Sequence, residues 1–128
     1  SVGYIVIEPG GTVGFVGQAK LIPRDKPQIA SAYAQAAELL GMHFVLTDCG
    51  SNPKEGPIPT RLVSSVANSI SIPYIVGGGI RTYKEAEEII SAGADAIQVG
   101  TAFEQEKDLK QKVSSIANAV HQAGKKKI

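Results

Sequence analysis

Four short runs of β-branched and other apolar residues, 4–7, 44–47, 74–76 and 96–99, are each soon followed by glycine and then by a stretch with helical spacing. This alternation predicts β, loop, α units. The runs are continuously apolar rather than alternating, as in a parallel sheet with helices on one face and packed side chains on the other. Half-solvated antiparallel strands fit the pattern poorly.

The stretches between the runs carry their own punctuation. The first predicted helix starts near Asp25 with Pro27 in its opening turn, uses Ile29, Tyr33, Ala36, Ala37 and Leu40 as its apolar face, and stops at Gly41. The second starts at Thr60 and carries Leu62, Val63, Val66 and Ile70, with Pro73 ending the unit. The third has a capping box in Thr82 and Glu85, an apolar face in Ala86, Ile89 and Ile90, and Gly93 at its C-terminal stop. The fourth is predicted over 107–123, with Leu109, Val113, Ile116 and Val120 at helical spacing. Lys125, Lys126 and Lys127 read as a frayed tail.

Strands roughly 20 to 40 residues apart make one array of βα units with no internal boundary over 1–128. A complete eight-stranded barrel needs about 250 residues. The expected fold is therefore α/β, four parallel βα units forming half of a TIM (β/α)8 barrel. The chain also opens directly on an apolar run, without a basic start or cleavage pattern, and is expected to be part of something larger.

Composition narrows the function classes. Thirteen Lys plus Arg against twelve Asp plus Glu give a net charge of +1, so no overall basic field recruits nucleic acid, and any anion must be bound locally. No apolar run reaches the roughly 18 residues of a membrane span. The single Cys49 excludes an internal disulfide and a multi-cysteine zinc site, and with two scattered histidines it fits a reducing cytoplasm.

In parallel α/β folds the working loops follow the carboxyl ends of the strands, and here the glycines cluster in those loops. The segment Val76-Gly77-Gly78-Gly79-Ile80-Arg81 offers backbone NH groups unobstructed by side chains, and Val99-Gly100-Thr101 adds another NH and a hydroxyl. Two such consecutive loops match the phosphate cup common at strands seven and eight of these barrels. The Thr47-Asp48-Cys49-Gly50-Ser51-Asn52-Pro53 loop supplies Ser51 as a third contact, against the simpler role of a turn hydroxyl. Asp48 either orients a ligand hydroxyl or caps the following segment.

Glu8 ends the first run and points toward the same mouth, where it can accept substrate hydroxyls or act as a general base; the alternative is a surface ion pair. The glycine-rich 9–14 stretch after it is expected to be a specialised mobile loop. Arg81 pairs with phosphate or with Glu85. Cys49 is expected to fill space rather than act as a nucleophile, since no histidine lies near it in sequence. His43 and His121 are expected to be structural, as is Asp95, which lies at the opposite end from the active loops.

Together these residues resemble the C-terminal half of the archaeal geranylgeranylglyceryl phosphate synthase family, strands five to eight. The resemblance runs through Gly3-Tyr4-Ile5-Val6-Ile7-Glu8-Pro9-Gly10-Gly11-Thr12-Val13-Gly14, Ile22-Pro23-Arg24, Val76-Gly77-Gly78-Gly79-Ile80-Arg81 and Ala92-Gly93-Ala94-Asp95. It implies a prenyltransferase of archaeal membrane lipid synthesis, moving geranylgeranyl from its diphosphate to the 3-hydroxyl of sn-glycerol 1-phosphate with magnesium. It also implies that Leu46, Thr47, Asp48, Cys49, Gly50, Ser51 and Asn52, the Gly77, Gly78, Gly79 and Ile80 loop, and Gly100 with Thr101 form the glycerol phosphate pocket. Glu8 would hold glycerol hydroxyls and help deprotonate the nucleophile. The family's magnesium ligands come from the other half of the barrel, so no metal ligand is expected in this chain, and the isolated chain is expected to be inactive. A homo-oligomer or a complementary half-barrel would be its partner. Two other readings share the phosphate site: a bacterial heptaprenylglyceryl phosphate synthase, and a half-barrel that binds phosphate without catalysis. The Pro9-Gly10-Gly11-Thr12 form favours the archaeal type.

Overall fold

The computed structural model describes residues 1–104 and 106–127. Its elements run β1 (Val2–Val6), α1 (Gly11–Val16), α2 (Pro27–Leu39), β2 (Phe44–Asp48), α3 (Thr60–Ala67), β3 (Tyr74–Gly77), α4 (Tyr83–Ser91), β4 (Ala96–Gln98), α5 (Thr101–Glu104) and α6 (Leu109–Lys125). The four strands form one parallel sheet in the order β1-β2-β3-β4. Each expected run thus became a strand, with ends shifted by a residue or two. In the first, Ile7 lies past the end of β1, its NH still donating to the Asp48 carbonyl at 2.8 Å while it forms a single parallel bridge with Ile22.

Alternation along the strands sorts side chains onto two faces. Ile5, Val45, Tyr74 and Val76 point into the core beneath the helices, joined by Leu62, Val63 and Val66 of α3, Ala86, Ile89 and Ile90 of α4, and Ile116 and Ala123 of α6. Thr47 is buried on the same side, its hydroxyl 2.7 Å from that of Tyr74. The opposite face carries the rows Tyr4, Leu46, Ile75, Ala96 and Val6, Asp48, Gly77, Gln98.

Several local expectations change. α2 begins at Pro27 with Lys26 before it and no side-chain cap, so Asp25 does not start it. Its buried stripe is Ala30, Ala34 and Ala37, while Tyr33 is 48% and Leu40 77% exposed. The reason is steric: a Cβ on Gly3 would lie 2.5 Å from that of Ala37, an approach that only small residues permit. The 9–14 stretch, expected as a mobile loop, instead runs at Gly11 into the short helix α1, whose Gly14 packs under Leu21 and Val6. α5 was likewise not anticipated, and α6 starts two residues later than expected, where Asp108 accepts from the Gln111 NH.

The lysine tail is tied down rather than frayed. Lys127 Nζ donates to the carbonyls of Gly93 (3.0 Å) and Ala94 (2.9 Å), and Lys126 pairs with Glu87 at 3.3 Å. Asp95 has the structural place expected of it, accepting from the Tyr74 NH at 2.9 Å. The capping box at Thr82 and Glu85 is present with both reciprocal bonds.

Candidate functional site

At the carboxyl ends of β2, β3 and β4 the three following loops enclose a cup of about 110 Å³. One wall is Asp48, Gly50, Ser51 and Asn52, the floor Gly78, Gly79 and Ile80 with Arg81, and the far wall Gln98, Val99, Gly100, Thr101 and Ala102. The loops nest because glycines let backbones touch. At Gly78 (φ +88°) a Cβ would stand 2.8 Å from Asp48 Oδ1 and from the Gly50 carbonyl oxygen, and at Gly79 (φ +73°) 2.9 Å from Gly56, Pro53 and Pro57. Both positions demand left-handed backbone as well as space, so any side chain there is strained and displaces a neighbouring loop. Gly100 has nothing within 4 Å of a built Cβ, and its backbone faces open space.

Charge around the cup is sparse, with Arg81 and Asp48 the only charged residues among the described ones in its lining. Arg81 is the one cation in the lining, and its backbone NH is already given to Glu85 Oε2 at 2.8 Å. Burial pushes the Glu85 carboxyl up, but the NH groups of Arg81 and Thr82 and the Thr82 hydroxyl outweigh it and hold the carboxyl below its ordinary value. Glu85 thus serves the start of α4, where the Arg81 charge also helps to hold its carboxyl ionised. Asp48 brings a carboxylate to the cup wall, an unfavourable neighbour for a phosphate unless its oxygens are committed elsewhere. They are: Oδ2 accepts from the Tyr4 hydroxyl at 2.5 Å and Oδ1 from the Gly50 NH at 2.7 Å. Asp48 therefore caps its own loop. Burial, then the bond to Asp48, raises the Tyr4 hydroxyl far above its ordinary value and keeps it a donor.

Of the expected residues, Asp48, Gly50, Ser51, Asn52, Gly78, Gly79, Ile80, Gly100 and Thr101 are brought together around the cup. Leu46, Thr47, Cys49 and Gly77 are buried behind it. Thr47 faces the helices, and burial raises the Cys49 thiol, the opposite of what a nucleophile requires. Glu8 lies exposed just past the end of β1, outside the lining of the cup. Gln98 was missed, although strand alternation and its place just before Val99-Gly100 would have marked it as the polar residue of that run. Against the Ser51 side of the cup runs a second, larger groove of about 640 Å³, bounded by Tyr4 and Val6 of β1, Thr12, Val13 and Val16 of α1, and Gly17 and Ala19. It is mostly apolar and open.

Among the described residues no three His, Cys, Asp or Glu side chains converge as a metal ion requires, and Asp48 is occupied as above. Among the described residues, the cup's one lining carboxylate, Asp48, is committed to Tyr4 and Gly50 rather than free for a magnesium ion.

Four parallel βα units with a small glycine-walled cup at the strand ends have the layout of half a (β/α)8 barrel. The chain belongs to the PcrB family, whose model matches residues 1–120. It is 50% identical over 120 residues to the geranylgeranylglyceryl phosphate synthase of Methanothrix thermoacetophila, covering 93% of this chain and 47% of that protein. With the same enzyme of Thermococcus sibiricus it shares 48% identity, covering 91% of this chain and 47% of the relative. Among solved structures it is similar to the (S)-3-O-geranylgeranylglyceryl phosphate synthase of Thermoplasma acidophilum in complex with its substrate sn-glycerol-1-phosphate. That match has a TM-score of 0.88 and 39% identity over 93% of this chain and 48% of that one. The chain spans about half the length of the relatives it matches.

Proposed function

We propose that this chain supplies the glycerol phosphate half, strands five to eight, of a prenyltransferase that moves geranylgeranyl from its diphosphate to the 3-hydroxyl of sn-glycerol 1-phosphate. The observation that carries the reading is the cup itself: three glycine loops with Arg81 as the one cation among the described lining residues, in a chain 93% of which aligns with about half of an enzyme solved with that substrate. The phosphate takes the backbone NH groups of Gly79 and Gly100 and the hydroxyls of Ser51 and Thr101, with Arg81 at the rim. Seated there, the glycerol moiety extends from the cup toward the ends of β1 and β2. Glu8 meets its hydroxyls from the strand end and takes up the proton as the 3-oxygen attacks. The apolar groove along α1 meets the cup at Ser51 and receives the prenyl chain, which brings the allylic carbon next to the glycerol.

Magnesium, which would neutralise the leaving diphosphate, is held by residues outside this chain in this reading. The partner is a complementary half-barrel or a second copy, and the reaction belongs to the cytoplasm. No helix among the described residues is long and apolar enough to cross a membrane.

Calorimetry with sn-glycerol 1-phosphate on the unmodified chain and on Gly79→Asp tests the cup. Binding by the first and none by the second is expected, because the variant puts strain, bulk and negative charge at the floor. Undiminished binding by Gly79→Asp would remove the loop from the site. In a protein that contains both halves, Glu8→Gln should depress turnover far more than affinity for the prenyl diphosphate.

A further inference from the structure

The Ile22-Pro23-Arg24 segment has no part in the cup's lining, yet its arginine is the most heavily bonded side chain near it. Ile22 pairs with the end of β1, its NH on the Val6 carbonyl at 2.9 Å and its carbonyl accepting from the Glu8 NH at 2.9 Å. That bridge sets Arg24 beside the loop that precedes α3. Its guanidinium donates to the Pro57 carbonyl at 2.6 Å, with longer contacts to Glu55 (3.3 Å), Gly56 (3.4 Å) and Glu8 (3.4 Å). Arg24 is half-buried, and among the described residues it forms no ion pair. Its charge rests on carbonyl dipoles, with the Cys49 thiol also within its reach.

The other side of the same loop presses on the cup. Pro53, Gly56 and Pro57 are the atoms that a Cβ on Gly79 would meet, each at 2.9 Å. Carbonyls of residues 55–57 therefore face the guanidinium, while the same stretch of backbone backs the floor glycine. The far wall at Gly100 and Thr101 shares none of these contacts.

We propose that Arg24 is a positioning residue: by gathering carbonyls from residues 8 and 55–57 it sets the loop against Gly79 and so aims the cup's amides at a phosphate ester that it never touches. This rests on the phosphate reading of the cup. The role suits arginine, whose planar fork reaches acceptors on two segments at once, whereas a lysine ammonium is a single point on a flexible stem. It also links Glu8 to Gly79 through one side chain, so the hydroxyl-facing and phosphate-facing parts of the site are held to a common frame. Because no carboxylate neutralises Arg24, its substitution leaves no orphaned acid behind.

The test uses the full chain with Arg24→Lys, which keeps the charge, and Arg24→Gln, which removes it. Binding of sn-glycerol 1-phosphate and of inorganic phosphate is followed by calorimetry, and backbone amides by NMR shifts and hydrogen exchange without ligand. Both variants should bind about tenfold more weakly or worse, the effect of losing a charged hydrogen bond. Amides of Gly56 and Gly79 should shift and exchange faster while those of Gly100 and Thr101 stay as they were. Wild-type affinity in Arg24→Lys would mean that charge alone matters and would overturn the proposal. Exchange rising evenly through the molecule would overturn it as well, since that is general loosening. If the unmodified chain binds neither ligand, the phosphate reading fails; the ligand-free amide comparison still decides whether Arg24 holds the loop.

Discussion

The two faces of the sheet are built to different standards. Toward the helices, Val45 and Val76 are wholly buried, and even the polar pair Thr47 and Tyr74 is sealed and mutually bonded. On the other face, one residue away on the same strands, Val6 and Leu46 are buried but lie outside the core cluster, Tyr4 is 48% exposed, Ile75 is half-buried and Gln98 is exposed. Most of the stability within this chain therefore comes from the helix side. The open side and the loops at its upper rim are free to carry the cup and the apolar groove.

The sharpest way to break this comparison is to truncate one residue on each face. Leu62→Ala, under the sheet on α3, should cost about 2–5 kcal/mol in urea unfolding. Ile75→Ala, on the open face, should cost less than about 1 kcal/mol, because little is lost where water already reaches. Comparable losses would mean that the open face is covered in solution. Repeating the measurement across protein concentrations, alongside light scattering, would show whether a second copy covers it.

Tyrosine hydroxyls offer a milder version. Tyr74→Phe strands the buried Thr47 hydroxyl and should cost about 1–3 kcal/mol, whereas Tyr4→Phe, in open surroundings, should stay within about 0.5 kcal/mol. If Tyr4→Phe proved as damaging, the Tyr4 to Asp48 bond would be part of the core rather than of the site.

A narrower effect concerns the outer layer's surface. Thr82→Ala should remove about 1 kcal/mol by opening the capping box. Glu85 has its folded carboxyl below the ordinary value, so its contribution is complete above that value and is lost as pH falls through the folded one. The cost of Thr82→Ala should accordingly shrink on acidification. A cost independent of pH would separate the hydroxyl from the carboxylate.

Which parts of this were legible follows from the range of the forces involved. The α4 box was readable because Thr82 and Glu85 are local partners at fixed spacing, and the strands because apolar runs between glycines leave few options. The face of α2 was misread because large apolar residues outweigh alanines in any periodicity count, while the helix docks through Ala30, Ala34 and Ala37 at glycine range. α1 is too short and glycine-rich to announce itself. Around the cup, the glycine loops were visible as composition. The Arg24 contacts were not, since backbone carbonyls as acceptors leave no mark on residue identity. The same holds for Lys127, whose partners are also carbonyls.

Strand order equal to chain order has a consequence in time. Each strand pairs only with the one made just before and just after it, so the sheet can be assembled by successive addition as the chain leaves the ribosome, without any early segment waiting for a distant one. Each new helix arrives in step to roof the strands already laid. Just past α6, Lys126 and Lys127 then fasten onto Glu87 of α4 and onto the Gly93 and Ala94 carbonyls on the approach to β4, so that each helix, once made, clamps the unit laid down before it.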